Sequence, residues 1–296
     1  MFWLFGAKRL KKLGILSMNR RNAECILAHN PRSVFPIVDD KRRMQQLCGR
    51  IGVPSPELLA VINAHSQLQQ LDDLLDDHRD FVLKPNRGAT GRGILVITDR
   101  YRDGFRRNDG KHLTLEDLRQ HICDILSGMY SLGGRPDSAL VQYRVRLHPQ
   151  FAPVSYRGIP DVRVVLYRDV PAMAMLRLPT RQSNGRANLR QGGIGAGIDL
   201  SSGISHHAVH QNRFVTRHPD TRELLLGRQV PWWREALEMS QRVSRAVGLG
   251  YVGIDIVFDA ELGPMLLEAN ARPGLAIQLA NACGLEERLR KIDRNL

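Results

Sequence analysis

Near the C-terminal end of this 296-residue chain, the stretch "YVGIDIVFDAELGPMLLEANARPG" (251–274) carries three oxygen-bearing side chains, Asp255, Glu268 and Asn270. It reads as two strands around a turn. Alternation over 251–258 sets Val252, Ile254, Ile256 and Phe258 on one face and Asp255, with Gly253 and Val257, on the other. Over 265–270 the same rule groups Glu268 with Asn270, apart from Met265, Leu267 and Ala269. If Phe258 faces Met265 across the loop, Asp255 faces Glu268. Two carboxylates opposed on a ladder repel, and a buried face tolerates them when a cation lies between. A hard divalent ion such as magnesium takes one or two carboxylates together with phosphate oxygens, and an amide oxygen from Asn270 would complete the protein's share. The competing reading is a polar hairpin face open to water.

Cations supply the other half of such chemistry. Of 43 Lys and Arg residues only seven are lysine, and just three lysines fall between residues 13 and 290. A chain that otherwise writes arginine has kept Lys41 and Lys84, which points to positions needing a compact ammonium rather than a planar fork. Lys84 ends the first of two β-type runs, 81–84 and 94–97, in "FVLKPNRGATGRGILVI"; the loop between them holds three glycines and two arginines. Glycine lets backbone N–H groups approach an anion, and a lysine at a strand end can meet phosphate oxygens. The order is not that of the G-x-x-x-x-G-K-S/T loop, because Lys84 precedes the glycines and no helix opens behind them. An ordinary flexible hairpin is the alternative.

Elements that would position these groups can be read along the chain. Asp40 is a candidate N-cap for a helix with Met44, Leu47, Cys48 and Ile51 at helical spacing, stopped by Gly52 and Pro54. Leu58–Ile62 reads as a strand and 66–77 as a helix through Leu68, Leu71, Leu74 and Leu75. Thr114 with Asp117 resembles a capping box for a helix carrying Leu115, Leu118, Ile122, Ile125 and Met129. Strands are expected at Ala139–Val145, 161–168 and 171–178, the last two carrying Arg163 and Arg177 either inward or toward solvent. Glycine density over 185–200 argues against a regular helix or a central strand and for a pocket-lining loop, with Asn188 and Arg190 available to an anion. His206, His207, His210 and His218 fall in a polar hairpin over 204–220 and read as surface residues, since no carboxylate or cysteine spacing supports a metal site. Pro231 opens a helix to Val247 with Trp232, Ala236, Met239, Val243 and Ala246 on one side, and Gly248 stops it.

The chain is long enough for a full core in one large domain or two to three small ones. No apolar run approaches the ~20 residues of a membrane helix. Met1–Leu16 mixes Phe2, Trp3, Leu4 and Phe5 with Lys8, Arg9, Lys11 and Lys12, and reads as a terminal helix packed on its own domain. Contact with a membrane surface or protein partner is the alternative for this segment. Cys25, Cys48, Cys123 and Cys283 show no C-x-x-C pair and read as reduced thiols of a cytoplasmic protein. The net charge of +13 invites a nucleic-acid reading, but the basic residues are scattered and no nucleic-acid motif accompanies them, so anionic small molecules fit as well.

Taken in order, Lys41, Lys84 with its glycine loop, "LVQYRV", "DVR", "NLRQGG", "GIDIV" and "LEANARPG" resemble the ATP-grasp ligases, and within them the branch related to RimK, the α-L-glutamate ligase-like enzymes. The resemblance runs from about residue 39 to residue 283. It implies an α+β ATP-grasp fold: a short helical segment over 1–52, a small lobe over 53–142 and a large lobe over 143–296, with ATP and Mg2+ (or Mn2+) between the lobes. By the same resemblance Lys41 and Lys84 hold nucleotide phosphates, and the loop containing Asn86, Gly88, Gly91 and Gly93 covers them. Gln142, Tyr143 and Val145 match the strand whose backbone reads adenine. Asp255, Glu268 and Asn270 match the metal ligands, Arg163 and Arg272 the groups that steady the transferring phosphoryl, and Asn188 and Arg190 residues near the acceptor. The implied activity is carboxylate–amine ligation through an acyl phosphate, joining an amino acid such as glutamate to a peptide or protein carboxylate. Such positioning and charge neutralisation need no nucleophilic side chain. The sequence departs from the pattern twice. Only 40 residues precede Lys41, where RimK-like ligases have a sizeable α/β domain, so another subunit or a homo-oligomer is a candidate to complete the substrate site; and Arg272 stands where RimK has a small residue.

Overall fold

The structure, a computed structural model, describes residues 10–88, 91–102, 104–131 and 133–296. Chain contacts divide it into a small unit, Asp40–Arg42 with Ser55–Val145, and a large unit, the described part of Met1–Asp39 with Arg43–Pro54 and Arg146–Leu296. The expectations for residues 1–9, and those for Ala89 and Thr90 in the glycine loop, lie outside the described residues.

In the small unit six strands, β1 (Leu58–Ile62), β2 (Phe81–Pro85), β3 (Leu95–Tyr101), β4 (Gly104–Arg107), β5 (His112–Leu113) and β6 (Ala139–Gln142), form an antiparallel sheet in the order β1-β6-β2-β3-β4-β5. Helix α1 (Lys41–Arg50) begins with the unit's first residues, and helix α2 (Leu115–Leu126) covers its core. The expected capping box forms. Thr114 Oγ1 accepts the Asp117 N–H at 3.1 Å, and the Asp117 carboxylate accepts the Thr114 N–H at 2.8 Å. Leu118, Ile122 and Ile125 are thereby fixed against Phe81, Leu83, Ile97 and Val141 in one buried cluster. Met129 lies past the helix end and is exposed. The single helix expected over 66–77 is instead a 3-10 segment, His65–Gln70, followed by one α turn, Leu71–Leu74. Leu71 and Leu75 are still buried, but Asp72, Asp73, Asp76 and Asp77 favour turns over helix interiors, so the pattern does not propagate.

The large unit holds a seven-stranded sheet, β11-β10-β9-β8-β7-β12-β13. Its strands are β7 (Asp161–Tyr167), β8 (Val170–Leu178), β9 (Ile194–Ile198), β10 (Ser205–His210), β11 (Arg213–Phe214), β12 (Tyr251–Asp259) and β13 (Gly263–Asn270). Helix α3 (Trp233–Val247) packs on β7, β8 and β12, while α4 (Ile277–Ala280) lies over β8, β9 and β10; α5 (Glu286–Asn295) follows. α3 stops at Gly248 as expected, but its buried face starts from Trp233. Trp232 sits in the left-handed region at φ 47°, outside the helix, and is half-exposed.

Two expectations fail here. The glycine-rich stretch does contain a central strand: β9, "IGAGI", pairs with β8 on one side and β10 on the other. Its glycines are there because two elements approach the strand closely, α4 at Gly197 and the Leu189 turn at Gly195. A Cβ on Gly197 would fall 2.4 Å from the Ala280 carbonyl oxygen, and one on Gly195 would fall 2.7 Å from Leu189 Cδ2. Nor are all four histidines at the surface. His206 is exposed and His207 and His210 half-buried, but His218 is fully buried. Its Nε2–H donates to the Pro179 carbonyl at 3.0 Å, and its Nδ1 accepts from the Asp220 and Thr221 N–H groups. Among the described residues no helix is long and apolar enough to cross a membrane.

Candidate active site

Strand register brings the charged side chains of the large unit onto one face. β12 pairs with β7 so that Asp255 lies opposite Arg163, and β7 pairs with β8 so that Asp161 lies opposite Arg177. On the other side Asp255 lies opposite Glu268 of β13. That pairing agrees with the sequence reading, but Phe258 meets Pro264 rather than Met265. The register slips by one between Asp255 and Ile256 because Leu267 is an extra residue in β13, a bulge that returns Glu268 to the face of Asp255.

Asp255 is held from three strands. Arg163 Nε donates to its Oδ1 at 2.7 Å and Arg163 Nη2 to its Oδ2 at 2.6 Å. Arg177 Nη2 donates to Oδ2 at 2.7 Å, and Asn270 Nδ2 to the same oxygen at 3.2 Å. Arg177 is also bidentate to Asp161, Nε to Oδ1 at 2.5 Å and Nη2 to Oδ2 at 2.8 Å. Two carboxylates and two guanidiniums balance, as burial of charge demands. Burial favours the neutral acid at both aspartates, with different outcomes. At Asp255 the guanidiniums of Arg163 and Arg177 outweigh burial and hold the carboxyl below its usual range. At Asp161 burial, reinforced by Asp255, outweighs Arg177 and pushes the carboxyl up to about 6. Burial also opposes the charge on Arg177, but Asp161 and Asp255 outweigh it and its pKa is raised.

Glu268 stands apart from this network. Its side chain is half-buried and makes no hydrogen bond or ion pair among the described residues, and the side-chain amide oxygen of Asn270 is likewise uncommitted among them. An unpaired carboxylate facing a second one across a ladder, with an amide oxygen two residues on, is a donor set that fits a hard divalent ion. Asp255 already accepts four hydrogen bonds, about the capacity of a carboxylate, so Glu268 and Asn270 are the residues free to hold such an ion. No group of three or more His, Cys, Asp or Glu side chains is placed to bind a metal by itself among the described residues.

The other large-unit candidates are not joined to this network by any hydrogen bond among the described residues. Arg272 is exposed, with its guanidinium 4.4 Å from the centroid of the Phe35 ring. Asn188 caps a 3-10 turn, Leu189–Gln191, accepting the Arg190 N–H at 3.0 Å, and Arg190 projects exposed from that turn. Two members of the network, Asp161 and Arg177, lie outside the site expected from the sequence.

In the small unit the strand pairings Val82–Gln142 and Lys84–Leu140 put Lys84 and Gln142 on the same sheet face, opposite the one formed by Phe81, Leu83 and Val141. Both side chains are buried. The Gln142 amide donates to the Pro56 carbonyl at 3.3 Å, and the Tyr143 N–H donates to the Glu57 carbonyl at 2.8 Å. Beyond them Val145 is buried. The loop after Lys84 is tied at both ends. Lys41 Nζ donates to the carbonyls of Asn86 at 3.2 Å and Gly88 at 2.9 Å, so among the described residues one of its three N–H groups remains for a ligand. The Asn86 side chain accepts the Arg42 N–H, and Asp137 accepts the Arg87 N–H at 2.8 Å. At the far end His121 Nε2 donates to the Gly93 carbonyl at 2.9 Å. Gly91 and Gly93 both sit at φ 72°, and a Cβ on Gly93 would fall 2.5 Å from the Tyr130 ring.

The sequence profile described as sugar-transfer associated ATP-grasp matches residues 20–294. The chain belongs to that family. A search of curated proteins gives no match. Among solved structures, a D-alanine–D-alanine ligase from Bacillus anthracis, complexed with ATP, is similar over 87% of this chain and 65% of its own, with 12% identity and a TM-score of 0.50. The ATP-grasp ligase PsnB, complexed with a minimal precursor, matches over 90% of this chain and 64% of its own at 16% identity and a TM-score of 0.48. A RimK-domain ATP-grasp protein from Sphaerobacter thermophilus matches over 89% and 70% at 14% identity and 0.49. This ATP-grasp chain thus spans just under two thirds of PsnB, and its two antiparallel sheets with helices are the expected α+β ATP-grasp fold.

Proposed function

We propose that this ATP-grasp protein is an ATP-dependent carboxylate–amine ligase. A substrate carboxylate oxygen attacks the γ-phosphorus of ATP, the bond to the bridging oxygen breaks, and ADP leaves. An amine then attacks the acyl carbon of the resulting acyl phosphate, inorganic phosphate leaves, and the amine gives up a proton to form an amide. Lys84, with the free N–H of Lys41, neutralises nucleotide phosphates, and the glycines of the 86–93 loop let its backbone approach them. Glu268 and Asn270 hold Mg2+ (or Mn2+), with Asp255 beside them; the ion supplies charge neutralisation on phosphate oxygens. Arg163, fixed on β7, and Arg272 steady the transferring group, while Asn188 and Arg190 meet the acceptor. Gln142, Tyr143 and Val145 form the adenine strand. A peptide or protein carboxylate joined to an amino acid such as glutamate is the substrate pair this reading favours.

The observation that carries the reading is the unpaired Glu268 carboxylate opposite Asp255, whose charge is already matched by arginines. Full occupancy of the Asp255 oxygens favours a second reading, a nucleotide-binding protein without turnover. ADP and phosphate release separates the two. A ligase releases both only when a carboxylate substrate is present, whereas a regulator binds ATP and magnesium and releases neither with any carboxylate and amine tested.

A further inference from the structure

Two loops of the large unit leave the end of the sheet marked by Asp161 and Arg177. One, 155–160, leads into β7; the other, 179–193, joins β8 to β9. They interlock. The Tyr156 N–H donates to the Pro179 carbonyl at 3.3 Å, and a Cβ on Gly158 would fall 1.9 Å from the Gly185 carbonyl oxygen, so 158 must be glycine. Beneath them lie buried polar groups that fix the second loop. Thr180 and Ser183 hydrogen-bond to each other, Thr180 Oγ1 donates to the Gly192 carbonyl at 2.7 Å, and His218 holds Pro179. Arg157 and Asn184 are both at φ 51° and Gly185 is at φ 77°, an unfavourable backbone that persists where surroundings over-determine it.

What this framework displays is positive charge. The guanidiniums of Arg157 and Arg181 each lie 5.4 Å from the centroid of the Tyr156 ring, so two cations from different loops are ordered by one aromatic. Arg186 and Arg190 project from the same 179–193 loop and make no ion pair among the described residues. The acidic group facing Arg181 is Asp220, which accepts the Arg181 N–H at 2.7 Å and lies 4.0 Å from its Nε, at the outer limit of an ion pair. Arg181 follows Arg177 by four residues and Tyr156 precedes Asp161 by five, so chain length alone keeps the Cα atoms of this cluster within roughly 14–18 Å of those of the buried network.

We propose that Tyr156, Arg157 and Arg181 form a subsite for a second anionic group on the carboxylate substrate, so that the reacting carboxylate belongs to a polyanion, one that also bears a phosphate or a further carboxylate. The proposal rests on the ligase reading for what happens to the substrate, but not for its binding. Guanidiniums stacked on a ring are pre-organised for bidentate contact with either oxyanion.

The test is calorimetric titration of the full-length protein, without metal or nucleotide, with 2-phosphoglycolate, tricarballylate and propionate. The two polyanions should bind and the monocarboxylate should not; whichever polyanion binds more tightly tells phosphate from carboxylate. The double variant Arg157→Ala/Arg181→Ala should weaken polyanion binding about tenfold or more. Tyr156→Leu, which keeps both charges but removes the ring that orders them, should weaken it several-fold. ATP affinity and melting temperature should stay at the wild-type value in both variants. Polyanion binding equal to that of propionate, or unchanged in the double variant, would overturn the subsite. ADP release is scored separately: its absence alongside arginine-dependent polyanion binding would refute ligation while upholding the subsite.

Discussion

On the sheet of the large unit, Asp255 is gripped by side chains from β7, β8 and β13, all of them charged or amide groups on rigid strands. In the small unit the 86–93 loop is held mainly through its own backbone, by one ammonium on two carbonyls, one carboxylate on an N–H, and one imidazole on a carbonyl. The first arrangement is costly to disturb, since removing one member strands a buried charge. The second can be loosened one contact at a time at about the worth of a hydrogen bond. The proposed phosphoryl transfer would draw on both kinds of part: fixed charges where charge develops, and backbone that can be released and refastened around a nucleotide.

The contrast is open to direct test, starting with the largest effect. Asp255→Ala leaves Arg163 facing no carboxylate, and should cost about 3–5 kcal/mol in chemical denaturation of the large unit. A loss below about 1 kcal/mol would show that the network does not hold the sheet. Gly197→Ala pushes a methyl into the α4 backbone and should cost about 1–3 kcal/mol, read as a lower melting temperature. Lys41→Met should cost only about 1 kcal/mol. It should instead speed protease cleavage within 86–93 and weaken ATP binding, and an unchanged cleavage rate would remove Lys41 as the fastening of that loop. The smallest effect concerns pH. Burial lowers the pKa of His218, so the stability of its neutral form is fully present above its unfolded value of about 6.5 and is lost as pH falls through the folded pKa. Protonation there removes the acceptor for the Asp220 and Thr221 N–H groups. His218→Gln should therefore flatten the fall in melting temperature between about pH 7 and pH 5.

The Asp255–Glu268 pair is expected from a Phe258–Met265 register that the chain does not adopt, and the bulge at Leu267 restores it. Alternation was enough to read the β12–β13 hairpin itself, because a half-charged face announces itself at a spacing of two. It was not enough to place the bulges. The turn between β7 and β8 is two residues, Arg168 and Asp169, both at positive φ, and Tyr167 pairs with Val170 across it. Counting back without interruption sets Asp161 against Leu176 and turns Arg177 to the other face. The observed slip between Val165 and Leu166 corrects this by one, next to Pro171, a residue that cannot complete a regular ladder. Asp161 and Arg177 were thus visible as charges in strands, but their partnership depends on a bulge that Pro171 hinted at. In β9 the glycine content suggested a loop because the close approach of α4 at Gly197 and of Leu189 at Gly195, the reason for those glycines, is a tertiary fact. The buried His218 was hidden in the same way, by a carbonyl 39 residues away.

The proposed metal site depends on Glu268, the carboxylate that among the described residues is left unpaired beside a saturated one. Carboxylate-dependent ADP release by the wild type and Glu268→Gln, measured side by side with their melting temperatures, tests it most directly. The predicted result is an unchanged melting temperature and a loss of release of about a hundredfold or more. A variant that melts with the wild type and still releases ADP at the full carboxylate-dependent rate would contradict it.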